Sequence, residues 1–196
     1  MGAVWISGDA TANDAGRSMG DGIIYEGTFG TGKVEGRGIM RVIFLDFDGP
    51  IIPIMSHKNP RVSGKGSQAW PSCVDALNRI TDATGARIVV SSTWRADGFM
   101  KTKNRLKEWG VTGKMIGMTP DLANRGPVLW NSVPRGLEIA AWIKQYTEDR
   151  EPVESFVILD DDKDMEHLMP HLIHTPFEVG LTESDAEEAI KRLNCA

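Results

Sequence analysis

The chain has 196 residues, 41% of them apolar and 25% charged, with a formal charge of −5. That length suits one domain with at most an appendage, and the composition argues against a largely disordered chain. The acidic balance disfavours tight non-specific binding of nucleic acid by the whole surface, although a local basic patch would still serve. No apolar run approaches the roughly 18–20 residues of a membrane span. The opening MGAVWISGDA lacks the basic and apolar stretches of a secretory signal. Cys73 and Cys195 lie far apart, outside any metal-ligand spacing, and read as ordinary thiols of a reduced, cytoplasmic protein.

Residues 1–39 hold ten of the 21 glycines and no long apolar periodic stretch. Such a segment cannot build its own core, because glycine loses the most entropy on folding and buries nothing. It reads as an arm (a leader, an expression remnant or a docking segment) ahead of a main domain at 40–196, with Met40 as an alternative start. Within it, GTFGTGK (27–33) imitates a phosphate-binding loop, but Val34 stands where a magnesium-holding hydroxyl is needed and no helix-forming sequence follows. In YEGTFGTGKVEGRGIM (25–40), the spacing of Tyr25, Gly27, Phe29, Gly32, Gly36 and Gly38 resembles one membrane-occupation-and-recognition-nexus repeat. One repeat cannot bury its own face, so the resemblance implies a Gly-rich β-hairpin leaning on the main domain or on a second subunit, with a homo-oligomer as one outcome.

From Met40 the pattern strengthens. MRVIFLDF (40–47) reads as a buried parallel strand ending in acid, and the Pro- and Gly-rich stretch 49–71 as loop. A helix is expected over 73–85, with Val74, Leu77 and Ile80 on one face and Gly85 as its stop. A second strand follows at 86–92, a helix at 99–110, a short strand at 114–119 and a loop at 120–134. The helix at 135–146 presents Leu137, Ile139, Ala140, Trp142 and Ile143 as a wide apolar stripe. SFVILDDD (155–162) is a strand running into acids, HLIHT (171–175) a candidate fifth strand, and 183–193 a final helix capped by Thr182 or Ser184. Three histidines lie in HLMPHLIH (167–174), but Pro170 breaks the spacing and no cysteine completes a zinc set.

Alternating strands and helices imply an α/β fold: a Rossmann-like parallel sheet with helices on both faces. Ligands of such sheets gather outside the carboxyl ends of the strands. There stand Asp46 and Asp48, then Ser91 and Ser92, then Asp160, Asp161, Asp162 and Asp164. Carboxylates so close would repel, and a divalent cation is the usual remedy; hard oxygen ligands with room for phosphate suit Mg²⁺.

LDFDG, a strand ending in Ser, a basic residue at a helix start and then ILDDD follow the motif order of the haloacid dehalogenase (HAD) superfamily. More narrowly, VVSSTWR, RGLEIAAWI, FVILDDDKDM and GLTESDAEEAI resemble the HAD-type domains linked to "Swiss Army knife" RNA-repair proteins, over roughly residues 41–195. The resemblance implies a HAD-like phosphatase with Asp46 as nucleophile and Asp48 as general acid and base. It implies Mg²⁺ held by Asp46, the Asp48 carbonyl and Asp160 or Asp161, with Asp164 in support. Ser91 would bind a phosphoryl oxygen, with Ser92 the alternative if the register slips by one. Arg135, or more weakly Lys144, would neutralise the transferring group. Gly49, Ser92, Arg95 and Lys58 complete the expected substrate contacts. Pro50 departs from the usual Thr or Val of the first motif and removes an N–H there.

Only 43 positions separate Asp48 from Ser91, so residues 50–71 make a flap, a minimal cap at most. An open site in this superfamily implies a bulky phosphorylated substrate, such as a nucleic-acid end or a protein, or a lid supplied by oligomerisation; a small phosphorylated molecule stays open as an alternative. His57, Lys58, Arg61 and Lys65 on the flap, with Arg95, Lys101, Lys103, Arg105 and Lys107 after the second strand, offer a basic rim. Trp94 reads as packing behind the site. Two other readings compete: a catalytically weak binding or assembly module, and a phosphotransferase with an acceptor other than water.

Overall fold

The strands and helices alternate because parallel neighbours require crossovers. The structure, a computed structural model, describes residues 19–20, 23–25, 40–54, 68–123 and 133–195. In chain order the elements are β1 (Met19–Gly20), β2 (Ile23–Tyr25), β3 (Met40–Leu45), α1 (Pro71–Thr84), β4 (Arg87–Val90), α2 (Phe99–Glu108), β5 (Met115–Met118), α3 (Arg135–Asp149), β6 (Val153–Asp160), β7 (Leu172–His174) and α4 (Glu183–Asn194). Short 3₁₀ turns, which the periodicity did not indicate, occupy Thr93–Asp97 and Glu166–His171.

The sheet order is β1-β2-β5-β4-β3-β6-β7. The five strands from β5 to β7 are parallel, and β2 joins the β5 edge antiparallel, with β1 antiparallel to it. Residues 19–20 and 23–25 thus extend the sheet beyond β5. The nexus-like segment and the phosphate-loop imitation lie outside the described residues, apart from Tyr25 and Met40.

Period-two alternation divides the core. Ile43, Leu45, Ile88, Val90, Val157 and Leu159 face a layer built from α1, α2 and α4, with Leu77, Ile80, Leu106 and Ala189 among its members. Val42, Phe44, Val89 and Ile158 face Ile139, Trp142 and Tyr146 of α3. Burying each of these large side chains is worth about 1.5–3 kcal/mol. α1 starts two residues earlier than expected, with Pro71 in its first turn, and ends at Gly85. α4 is capped by Thr182, whose hydroxyl accepts from Asp185 N–H while Asp185 accepts from Thr182 N–H.

α3 corrects one expectation. Leu137, read as part of the buried stripe, is 44% exposed, whereas Glu138 is 2% exposed. The buried face runs through Glu138, Ile139, Trp142 and Tyr146, and a charge belongs in it because two arginines meet it there. No described helix is long and apolar enough to cross a membrane.

Candidate active site at the carboxyl ends of the central strands

Register builds the site. Leu45 pairs with Val90 on one side and Leu159 on the other, so Asp46, Ser91 and Asp160 follow in one row as the strands end. Asp46 N–H donates to Leu159 O at 3.0 Å and Ser91 N–H to Leu45 O at 2.8 Å, which holds the row together. Both aspartates are buried.

Asp46, Asp160 and Asp161 each offer one carboxylate oxygen, all within 4.8 Å of one another. Asp46 Oδ1 accepts from Phe47 N–H at 2.7 Å, and Ser92 hydrogen-bonds the same carboxylate. Asp160 Oδ1 accepts from Asp162 N–H at 2.9 Å, while its buried Oδ2 accepts no hydrogen bond. The guanidinium of Arg135 approaches that oxygen, Nε to Oδ2, at 3.8 Å. Burial, opposed chiefly by Arg135, raises the Asp46 carboxyl to about 6. Burial and then the neighbouring Asp46 charge raise Asp160 to about 8. Burial also raises Asp161, with Asp162 and Asp48 adding to it. An orphaned buried oxygen within a clustered, mutually repelling set of hard donors fits a small divalent cation.

Two close backbone approaches shape this centre. Gly49 has φ +86°, and a Cβ there would lie 2.6 Å from Asp161 Cβ, so only glycine lets the first strand's turn sit against the acidic one. Pro50 is accommodated: its turn is closed by Ile51 N–H and Ile52 N–H donating to Phe47 O, and its carbonyl accepts from Leu181 N–H at 2.9 Å. At α3, Gly136 packs on the backbone of Met165, where a Cβ would meet the carbonyl oxygen at 2.2 Å. Asp164 caps this helix, since Pro134 offers no side-chain acceptor: its Oδ2 takes the N–H of Arg135 at 2.9 Å and its carbonyl that of Gly136 at 3.2 Å.

A second charged layer stands behind the first. Glu138 Oε1 accepts from Arg95 Nη2 at 2.7 Å and from Leu122 N–H at 3.1 Å; its Oε2 accepts from Arg135 Nη1 at 3.3 Å. Arg95 also lies 3.8 Å from Asp121. Burial outweighs these partners, so the Glu138 carboxyl is raised and the Arg95 guanidinium lowered.

With this arrangement in view, the comparisons decide the family. The HAD domain of Swiss Army Knife RNA repair proteins matches residues 42–186 of the 196. The chain belongs to this family. A structural search returned a crystal structure of a Mesorhizobium loti protein provisionally assigned as a HAD-like phosphatase. It is 16% identical at a TM-score of 0.49, covering 91% of this chain and 96% of that one. A search of curated proteins returned no match.

In this HAD domain the expected residues sort as follows. Asp46, Asp160, Asp161 and Arg135 come together. Asp48 is half-buried one turn away; its carboxylate is not in the metal-type group, and its Oδ2 accepts from Trp94 Nε1 at 2.8 Å. Of the two serines, Ser92 hydrogen-bonds the Asp46 carboxylate, and the Ser91 hydroxyl lies 3.4 Å from Thr119 Oγ1. Asp164 holds a helix end instead of facing the cluster. Arg95 turns inward to Glu138, and Arg105 to Asp97 at 2.7 Å, so neither stands free on a basic rim; Lys101 and Lys107 are exposed. Lys144 is exposed on α3, beyond its first two turns. Lys58 and the rest of the flap's basic residues lie outside the described residues. The histidines 167, 171 and 174 form no metal-type group: His171 stacks on Phe156, and His174 Nε2 meets Asp161 O at 2.9 Å. Cys73 is buried and Cys195 exposed, both as free thiols.

Glu138 and Thr119 were missed. Only the three-residue step from Arg135 to Glu138 hinted at the first, and an acid so spaced ordinarily faces solvent.

Proposed function

We propose that this HAD domain is a Mg²⁺-dependent phosphomonoester hydrolase that works through an aspartyl-phosphate on Asp46 and acts on nucleotides or nucleic-acid ends. The observation that carries the reading is the carboxylate trio of buried Asp46 and Asp160 with half-buried Asp161, and Arg135 beside the orphaned Asp160 oxygen. The trio, with the Asp48 carbonyl, would hold Mg²⁺. The metal supplies charge neutralisation for the phosphoryl oxygens and lets Asp46 and Asp160 stay ionised together.

Asp46 then attacks phosphorus. Arg135 and the Ser92 hydroxyl stabilise charge on the equatorial oxygens. Asp48 gives a proton to the leaving oxygen. Next it takes a proton from the water that attacks the aspartyl-phosphate and releases Asp46 and phosphate. The nucleic-acid part draws support from the family's association with RNA repair and from the short path between Asp48 and β4, which leaves no room for a full cap domain.

Hydrolysis of p-nitrophenyl phosphate with and without Mg²⁺ tests the reading, with Asp46→Asn beside the wild type. Mg²⁺-dependent release that disappears in Asp46→Asn supports it and leads to a screen beginning with nucleotides and 3′-phosphate oligonucleotides. Turnover unaffected by Asp46→Asn refutes the nucleophile.

A further inference from the structure

The proposed reaction asks Asp48 to present a proton to one leaving oxygen. A carboxyl group on a turn can rotate and present either oxygen, so something must hold it. Trp94 lies in the 3₁₀ turn after β4, and its indole N–H donates to Asp48 Oδ2 at 2.8 Å.

The ring is itself firmly seated. Phe47 packs at 5.9 Å between centroids and Trp109 at 5.8 Å, and the Arg105 guanidinium covers it at 4.6 Å. Arg105 is anchored in turn by Asp97 at 2.7 Å. The backbone N–H of Trp94 points to Ser92 Oγ at 3.4 Å, so the same turn sets the hydroxyl beside Asp46.

An indole N–H donates and never accepts. Its partner must offer a lone pair, and Asp48 Oδ2 does so. With Oδ2 held by the indole, the carboxyl group is fixed in orientation and Oδ1 is the oxygen the indole does not engage. We propose that Trp94 is the positioning residue that makes Asp48 Oδ1 the oxygen exchanging protons with the leaving group and then with water. This inference rests on the hydrolase reading above.

In the first step the Asp46 oxygen–phosphorus bond forms. The bond from phosphorus to the leaving oxygen breaks, and that oxygen keeps the electron pair and takes the Oδ1 proton. In the second, a water oxygen bonds phosphorus, its proton returns to Oδ1, and the Asp46–phosphorus bond breaks. Substrate and water become alcohol and phosphate, and the enzyme is restored.

The test varies the leaving group. Nitrophenolate departs as a stable anion and needs little help, whereas an alkoxide needs the proton. The value of kcat/KM, which reports events up to the first phosphoryl transfer, is measured with p-nitrophenyl phosphate and glycerol phosphate. Trp94→Phe keeps an aromatic ring in the cluster and removes the donor. The expected result is that Trp94→Phe lowers kcat/KM for glycerol phosphate about tenfold more than for p-nitrophenyl phosphate, the size of one lost hydrogen bond to a charged or reacting group. If Trp94→Phe does not fold, the benzothiophene analogue of tryptophan at position 94 replaces N–H by sulfur at nearly unchanged ring size and reads the same ratio. Equal losses on both esters would overturn the positioning role while leaving the hydrolase reading intact. Full turnover of both esters by Asp46→Asn would overturn the hydrolase reading and this inference with it.

Discussion

Glu138 is the joint on which the arginine of the site depends, and its removal should cost both stability and rate. Glu138→Ala deletes the acceptor for Arg95 at 2.7 Å, Leu122 N–H at 3.1 Å and Arg135 at 3.3 Å. The arginine side chains are only 11% and 14% exposed. Removing one partner of a buried pair costs about 3–5 kcal/mol. Two facts lower that figure here. Asp121 remains as a counter-charge to Arg95 at 3.8 Å. Burial already holds the Glu138 carboxyl above its usual range, so part of the ion-pair attraction only offsets desolvation.

The expected loss is about 2–3 kcal/mol for Glu138→Ala, against about 1 kcal/mol for Glu138→Gln, which keeps the shape and an acceptor for Leu122. Urea unfolding followed by tryptophan fluorescence reads this as a lower midpoint at unchanged slope. The same variants should lose roughly tenfold to a hundredfold in kcat/KM on p-nitrophenyl phosphate, because Arg135 loses its brace. An alanine variant with the wild-type midpoint and kcat/KM within about twofold would show that both arginines hold their positions without Glu138, and would refute the reasoning.

The acidic cluster makes metal binding and stability depend on pH. Asp160 is raised to about 8 and Asp46 to about 6 from an ordinary 3.8. The raised values mean that the protonated, metal-free fold is stabilised fully below the ordinary value, and that this stabilisation fades as pH rises through about 6 and about 8. The melting temperature of the metal-free protein should therefore fall from about pH 5 to about pH 9, while the upward shift on adding Mg²⁺ grows over the same window. Asp160→Asn should flatten both trends, and a Mg²⁺ shift independent of pH would count against the trio as the metal site. At the base of α3, Gly136→Ala would put a Cβ 2.2 Å from Met165 O. The helix end must then leave the Asp164 loop, with a loss of about 3 kcal/mol or more in urea unfolding and of the adjoining Arg135 geometry; wild-type stability and activity would mean that the two segments are not in contact.

Much of this was readable from the chain. Continuous apolar runs ending in acid identify parallel strands and their carboxyl ends together, because the same residues that make a strand buried on both faces deliver its last, polar residue to the ligand side. The unreadable part concerns side-chain direction across elements. Asp46, Ser91 and Asp160 stand in one row by register, yet Ser92 is the serine that touches Asp46. β4 ends at Val90 and the chain curls into a 3₁₀ turn, so strand parity stops predicting direction one residue after the strand stops.

Glu138 and Trp94 escaped for a related reason. Helical periodicity assigns apolar residues inward and charged residues outward, and by that rule Leu137 belonged inside and Glu138 outside. The rule holds when the facing surface is apolar. Here the face meets Arg95 from the turn after β4, and Arg135 lies one helical turn back, so the charged side chain has the better partners within and the leucine is left in solvent. Likewise, a tryptophan beside an aromatic cluster reads as packing, and the ring does pack; only its polar edge reaches Asp48. Both residues act between elements distant in sequence, and partner chemistry of that kind leaves no periodic trace in either element alone.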